Sequence, residues 1–259
     1  MRMMKKVLGT VTVLALSVSL LAGCGSTAAS PVSSAASTAA ESTTSSVVSE
    51  TTSAAADENA AAAAQLLNDL TGSYQELWPV ILADEYKQTW LDDCTALVGE
   101  DNAEAAFEKL SSMVTGDVYG EDAVKAYANG GGAYFCGFTN SLATLTFDGE
   151  TSTISGTDKD GNVLFSHTYH YIGMEPVRGL YEFQSDDADS GEFTYFFLAP
   201  DTSAETYHIE FRYGSDAEAL SQYDTGEYAY WLASGISTDC DQTMIDNCIE
   251  LFCTENLAG

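Results

Sequence analysis

The chain has 259 residues and is strongly acidic, with 39 Asp and Glu against 9 Lys and Arg and a formal net charge of −30. Such a charge repels phosphate backbones and anionic headgroups, which argues against binding of nucleic acid or of anionic lipid headgroups. It fits either a surface that attracts cations or an acidic secreted protein that its charge keeps soluble.

Residues 1–23 are predicted to be a lipoprotein signal peptide. Three bases within the first six residues precede an apolar stretch from Val7 to Ala22, which is shorter than a comfortable membrane span. The stretch ends in Leu21-Ala22-Gly23-Cys24, a lipobox at which cleavage leaves Cys24 as a lipid-carrying N-terminus. The alternative, an uncleaved helical anchor, also leaves the rest of the chain outside the cytoplasm and held to a membrane.

Residues 24–60 are predicted to be a flexible tether. They are almost entirely Ser, Thr, Ala and Val, with few charges and no aromatic residue. Such a stretch cannot bury enough apolar area to offset its conformational entropy. Residues 61–259 are then one domain, long enough for a well-packed core.

The first part of this domain, from Ala61 to Asn129, is predicted to be mostly helical, because apolar residues recur there at helical spacing. Gly72-Ser73-Tyr74 interrupts the pattern and resembles the Gly-x-Trp that opens many lipocalin-like barrels, with Tyr in place of Trp. Gly130-Gly131-Gly132 ends the helical part as a flexible junction. It is not followed by the Lys-Ser/Thr that a phosphate loop needs.

From Ala133 onward the apolar pattern has a period of two, which indicates short antiparallel strands. The predicted strands are Ala143–Phe147, Ser152–Ser155, Val163–Ile172, Gly179–Phe183, Phe193–Leu198 and Thr206–Tyr213. A short helix, Ser215–Gln222, follows them. A closing helix runs to about Glu255, with Thr238 and Asp241 as its capping pair. The pattern predicts an α+β, mainly β fold: a lipocalin-like (calycin) antiparallel barrel with N-terminal helices and a closing C-terminal helix.

The cysteines do not form a recognisable metal motif. Five follow Cys24, namely Cys94, Cys136, Cys240, Cys248 and Cys253, and their spacings match no zinc knuckle. A bridge between Cys248 and Cys253 would strain the closing helix, whose rise over five residues is about 7.5 Å. Two interpretations stay open: a disulfide to Cys94 or Cys136, or small buried apolar residues.

Only three histidines offer imidazole ligands. His167 and His170 are three residues apart on one predicted strand, so they point to opposite faces and are not a chelating pair. His208 and Glu210 have the i, i+2 spacing that puts two side chains on one face of a strand. We therefore take His208 and Glu210 as the candidate metal ligands, although zinc usually needs three or four.

The order of strands and turns from Val177 to Tyr213 resembles the ZinT/YodA family of extracytoplasmic metal-binding domains. In that family, three zinc-binding histidines come from two adjacent strands, one before an Ile-Ala-Pro-like step and two in a His-x-His on the next strand. The step is present here as Leu198-Ala199-Pro200. The matching ligand positions are Phe196, Thr206 and His208, so the resemblance implies a degenerate site with zinc bound weakly or lost.

The resemblance implies an extracytoplasmic, lipid-anchored relative of the zinc-binding accessories of ABC metal importers. Its partners would be the membrane, through the lipid on Cys24, and importer components. The alternative is a metal-independent binding or interaction module that uses an apolar barrel cavity or an aromatic surface. No Ser/His/Asp spacing or nucleophile elbow stands out, so no enzymatic activity is predicted.

Overall fold

The computed structural model of the protein describes residues 58–200 and 207–258. The predicted signal peptide, Cys24, the tether up to residue 57 and Thr206 lie outside these residues. Within the described part of the chain, no helix has both the length and the apolar character needed to cross a bilayer.

Eight antiparallel strands close into a barrel in which neighbouring strands follow chain order and β1 also pairs with β8. They are β1 (Gly72–Glu76), β2 (Thr144–Asp148), β3 (Thr153–Thr157), β4 (Val163–Met174), β5 (Tyr181–Ser185), β6 (Tyr195–Leu198), β7 (Ile209–Gly214) and β8 (Ala233–Ser237). Gly72-Ser73-Tyr74 does open the barrel. The predicted antiparallel barrel is confirmed.

Along the chain, helices lie before, between and after the strands of the barrel. They are α1 (58–69), α2 (Leu77–Ile81), α3 (Lys87–Val98), α4 (Glu100–Val114), α5 (Glu121–Ala128), α6 (Ala217–Leu220) and α7 (Gln242–Leu257). Helices α2 to α5 lie between β1 and β2, so the barrel brings together strands that are far apart in sequence. Asp241 caps α7, because its carboxylate accepts a hydrogen bond from the Met244 N–H at 2.9 Å. Thr238, the other member of the predicted capping pair, instead donates its backbone N–H to the carbonyl of Ser73.

Two apolar cores follow from this arrangement. The barrel core fills the interior of the barrel, largely with aromatic side chains that include Phe147, Phe183, Phe196, Phe211, Tyr213 and Trp231. The helical core lies between α2, α3, α4, α7 and the outer side of β8, and includes Trp90, Cys94, Leu110, Ile236, Ile249 and Cys253. Strand β8 separates the two, since Ala233 belongs to the barrel core and Ile236 to the helical core.

Three strands, β7, β6 and β5, start two or more residues later than predicted, and β5 starts at Tyr181 instead of Gly179. Tyr207 has a φ of +65°, which interrupts an extended strand, so β7 begins at Ile209 and His208 precedes it. Residues Gly191–Phe193 form a 3-10 turn, so β6 begins at Tyr195. The difference in β7 matters for the candidate site, because it places His208 at the rim of the barrel.

Candidate functional site at the rim of strand β7

His208 and Glu210 lie next to each other at the start of β7. Nε2 of His208 is 4.0 Å from Oε1 of Glu210, and their side chains are 16% and 39% exposed. Two ligands that each lie about 2.1 Å from a tetrahedral zinc ion are about 3.4 Å apart. A small rotation of either side chain would therefore bring the two atoms to the spacing at which both could bind one metal ion.

Phe196 does not join this pair. It is fully buried, and its Cα partner on β7 is Tyr213, four residues beyond Ile209. Four strand steps span about 13 Å, so His208 lies at least that far along the strand from the residue opposite Phe196.

The two positions also lie on opposite faces of the sheet. Phe196 faces the interior with its partner Tyr213. Because side chains alternate along a strand, Glu210 and Arg212 face the other side of β7. A histidine at position 196 would point into the barrel core, so the predicted convergence of Phe196 with His208 and Glu210 is wrong.

No larger ligand group compensates for this. Among residues 58–200 and 207–258, no cluster of three or more His, Cys, Asp or Glu side chains could hold a metal ion. Cys136 is electrostatically coupled to Glu210, but burial raises the pKa of its thiol to about 12, with the charge of Glu210 as a further cause. The raised pKa disfavours the thiolate, which is the metal-binding form of cysteine.

The other two histidines pair with the acidic turn that follows β5. Nδ1 of His167 is 2.7 Å from Oδ2 of Asp187, and Nδ1 of His170 is 2.6 Å from Oδ1 of Asp186. His167 stacks beside Phe165 near the interior, whereas His170 is 53% exposed. They face opposite sides, as predicted, and do not form a chelating pair.

A buried cluster of arginine and tyrosine, absent from the sequence-based predictions, lies on the same outer face as Glu210. The guanidinium carbons of Arg178 and Arg212 are each 4.3 Å from the ring centroid of Tyr223, so the two cations enclose one ring. Arg178 also donates to the hydroxyl of Tyr134 at 3.2 Å. Arg178 and Arg212 are two of only six Lys and Arg residues beyond residue 60. This scarcity of bases was the feature of the sequence that could have pointed to them.

Arg212 ties β7 to the segment before β8. It is fully buried, and its guanidinium donates to the carbonyls of Leu220, Gln222 and Tyr228. Burial lowers the pKa of Arg212 and raises the pKa of Tyr223 to about 12. The cluster therefore holds the outer face of β7 against the segment before β8.

The barrel interior offers little room for a ligand. The ring centroid of Phe196 is 5.4 Å from that of Tyr169 and 5.3 Å from that of Tyr213. A cavity of about 330 Å³ lies instead outside the barrel, between α2, the end of α4 and residues 135–137. Its walls include Trp78, Leu82 and Val114, with Glu76 as a carboxylate.

The comparisons with known proteins give a similarity of fold. No protein-family model and no curated protein sequence matches the chain. Among solved structures, the Zn(II)-bound ZinT-like domain of Streptococcus pneumoniae AdcA is similar with a TM-score of 0.45 and 15% identity, over 71% of this chain and 89% of that one.

Zn(II)-bound AdcA from the same organism is similar with a TM-score of 0.42 and 15% identity, over 70% of this chain and 34% of that one. The choice of His208 and Glu210 as candidate ligands rests on the geometry of this chain and not on these similarities.

Proposed function

We propose that this chain is an extracytoplasmic lipoprotein whose ZinT-like barrel domain binds zinc weakly, as an accessory to an ABC metal importer. A lipid on Cys24 would hold it to the membrane, and residues 24–60 would let the domain reach away from the lipid surface. Zinc is the cargo here, bound and released without any reaction, and no enzymatic activity is proposed.

The observation that carries the metal proposal is the pair of His208 and Glu210. The pair combines an imidazole nitrogen and a carboxylate oxygen, which are ligand types that zinc takes. Both side chains are partly open to solvent, and the surrounding protein is acidic, which raises the local concentration of cations. Two protein ligands leave the remaining positions to water, so affinity should be low and release easy.

Titration of the full chain with zinc in detergent, with the heat of binding measured by calorimetry, tests this proposal. Because so acidic a protein binds divalent cations non-specifically, the informative quantity is the difference between variants rather than total uptake. We expect His208→Ala and Glu210→Gln each to remove one saturable site. His170→Ala is the matched control, because His170 also pairs with a carboxylate, at 2.6 Å, but on another strand.

Equal zinc binding by the parent, His208→Ala and His170→Ala would contradict a site at His208. The lipoprotein part has its own test. A fatty-acid analogue supplied to cells should label the parent chain and not Cys24→Ala, and Cys24→Ala should leave the membrane fraction. Retained label in Cys24→Ala would rule out lipidation at this residue.

A second candidate, metal-independent binding of a small apolar molecule, is favoured by the cavity beside α2. Its volume of about 330 Å³ is in the range of small-molecule sites, and its walls are mostly apolar. Ligand-observed NMR with a library of small aromatic and aliphatic compounds would detect such binding. Val114→Phe should reduce it by filling the cavity, and binding that survives Val114→Phe would place the ligand elsewhere.

A further inference from the structure

Two buried thiols face each other across the helical core. Sγ of Cys94 on α3 is 3.9 Å from Sγ of Cys253 on α7, and both residues are fully buried. A disulfide bond is about 2.05 Å long, so the two sulfur atoms need to approach by roughly 2 Å.

The helices that carry these thiols are held in register by aromatic contacts. The ring of Phe252, next to Cys253, lies 6.0 Å from that of Trp90 on α3 and 4.8 Å from that of Trp78 on α2. Trp90 in turn donates its indole N–H to the carbonyl of Ile81 at 2.7 Å. The approach of Cys94 to Cys253 is therefore set by the packing of three helices and not by a flexible end.

Among the described residues, the remaining cysteines make no thiol–thiol contact as close as this one, although Cys240 and Cys248 interact electrostatically. Cys248 is buried on the same helix, and Cys136 contacts the carbonyl of Tyr134 through its sulfur at 3.9 Å. Cys240 is partly exposed, just before α7. All five cysteines beyond residue 60 lie in the described part of the chain, and Cys94 with Cys253 is the one thiol–thiol contact there.

We propose that Cys94 and Cys253 form a structural disulfide that fastens the closing helix α7 to α3 when the chain folds in an oxidising compartment. The compartment rests on the proposed extracytoplasmic location, because disulfides persist outside the cytoplasm. The sequence left open whether the cysteines form a disulfide or serve as small buried apolar residues. For this pair we choose the disulfide, with Cys94 as one partner and Cys253 as the cysteine of the C-terminal group that reaches it.

The bond forms by exchange with an organic disulfide such as oxidised glutathione. The thiolate of one cysteine attacks the reagent, forms a mixed disulfide and releases one glutathione thiolate. The thiolate of the other cysteine then attacks the protein sulfur of that mixed disulfide and releases the second glutathione thiolate. The two thiols are oxidised, their two protons pass to the two leaving thiolates, and one oxidised glutathione becomes two reduced ones.

The timing of this reaction follows from burial. Both thiols are closed to solvent in the folded protein, and burial raises the pKa of Cys94 and of Cys253, which suppresses the reactive thiolate. The exchange should therefore occur while α7 is docking, before the helical core closes. Once the core has closed, oxidation has to wait for local opening.

Refolding of the full chain from denaturant in detergent tests the proposal, with oxidised and reduced glutathione present. Peptide mapping under non-reducing conditions should yield a peptide pair joined through Cys94 and Cys253, with the mass of two hydrogens lost. Cys248→Ser is the matched control on the same helix and should keep the link, whereas Cys253→Ser should lose it. Folded, reduced chain given the same mixture should form the link at least about tenfold more slowly than refolding chain.

Free thiols at both positions after oxidative refolding, or a link that joins a different pair, would overturn the proposal. Mapping of the unsubstituted chain decides this directly, so the test stands even if Cys253→Ser fails to fold. The redox mixture supplies the oxidant in the tube, so this outcome does not depend on where the protein resides. A failed cross-link and a failed lipid label at Cys24 are therefore separate results.

Discussion

The barrel core and the outer side of the barrel differ in the kind of residue they hold. The barrel core is built largely from aromatic rings and contains no cysteine. The outer side holds all five cysteines beyond residue 60, in or against the helical core, as well as the Arg178–Arg212 cluster. The pair of His208 and Glu210 lies at the rim. The interior thus supplies stability, whereas the groups capable of chemistry lie outside it.

The physical reason is the size of the barrel. An eight-stranded barrel has an interior wide enough for side chains to fill or for one small ligand. Here the rings of Tyr169 and Tyr213 pack against that of Phe196 in that interior. A ligand or an ion is then left with the outer face and the rim. Substitutions inside the barrel should change stability without changing metal binding, and substitutions of the rim pair His208 and Glu210 should change metal binding more than stability.

The largest effect is expected for Phe196→Ala. The change removes a fully buried ring that packs against Tyr169 and Tyr213, and it should lower the free energy of unfolding by about 3–5 kcal/mol. Urea unfolding followed by circular dichroism measures this. The zinc response should stay as in the parent at temperatures where the variant is folded. A lost zinc response in the folded variant would mean that the interior takes part in metal binding.

Arg212→Ala should be the most damaging change on the outer face. It leaves the carbonyls of Leu220, Gln222 and Tyr228 without their shared donor, and the bonds to Leu220 and Tyr228 are buried, so the change should cost about 2–3 kcal/mol. Arg212→Lys should recover only part of this, because an ammonium cannot reproduce the planar fork of a guanidinium. If Arg212→Ala unfolds at the same urea concentration as the parent, the cluster does not tie β7 to the following segment.

His208→Ala should separate binding from stability. His208 is only 16% exposed but precedes the strand, so its removal should cost about 1 kcal/mol, well below the cost expected for Phe196→Ala. Chemical denaturation and zinc calorimetry on the same preparation give both quantities. A loss of several kcal/mol would show that His208 serves the fold, and the contrast between rim and interior would fail there.

The smallest effect is expected at the turn before β4. The side chain and backbone of Asn162 donate to the Asp158 carboxylate, which lowers the pKa of Asp158 in the folded protein. A lowered folded pKa adds stability above the unfolded value of about 3.9, and that stability is lost as pH falls toward the folded pKa. Asp158→Ala should be slightly less stable than the parent at pH 7, and their unfolding curves should converge at acidic pH. A difference independent of pH would contradict this origin.

Much of the fold could be predicted from local patterns. Alternating apolar residues and Asp-Gly turns gave strands β2 to β7, and Gly72-Ser73-Tyr74 marked the first strand correctly, whereas β8 (Ala233–Ser237) was not predicted. The cap at Asp241 placed the start of α7. These signals are short-range, because side-chain alternation, turns and caps depend on residues only a few positions apart.

The candidate site was predicted only in part. The i, i+2 spacing brought His208 and Glu210 together, as the 4.0 Å distance shows. The expected convergence with Phe196 failed, because the register of β6 on β7 pairs Phe196 with Tyr213. Register between strands depends on the turn that joins them and on burial of one face, and a sequence motif does not encode either.

By itself, the amino-acid sequence determined the acidic character of the protein, the succession of helices and strands, and the shortage of imidazole ligands. Tertiary structure alone decided which face each candidate ligand takes, the enclosure of Tyr223 by Arg178 and Arg212, and the approach of Cys94 to Cys253. Local pattern follows from the geometry of one strand or helix. The contacts that could carry function join residues as far apart as Cys94 and Cys253, and they arise only when the barrel closes and the last helix packs against the third.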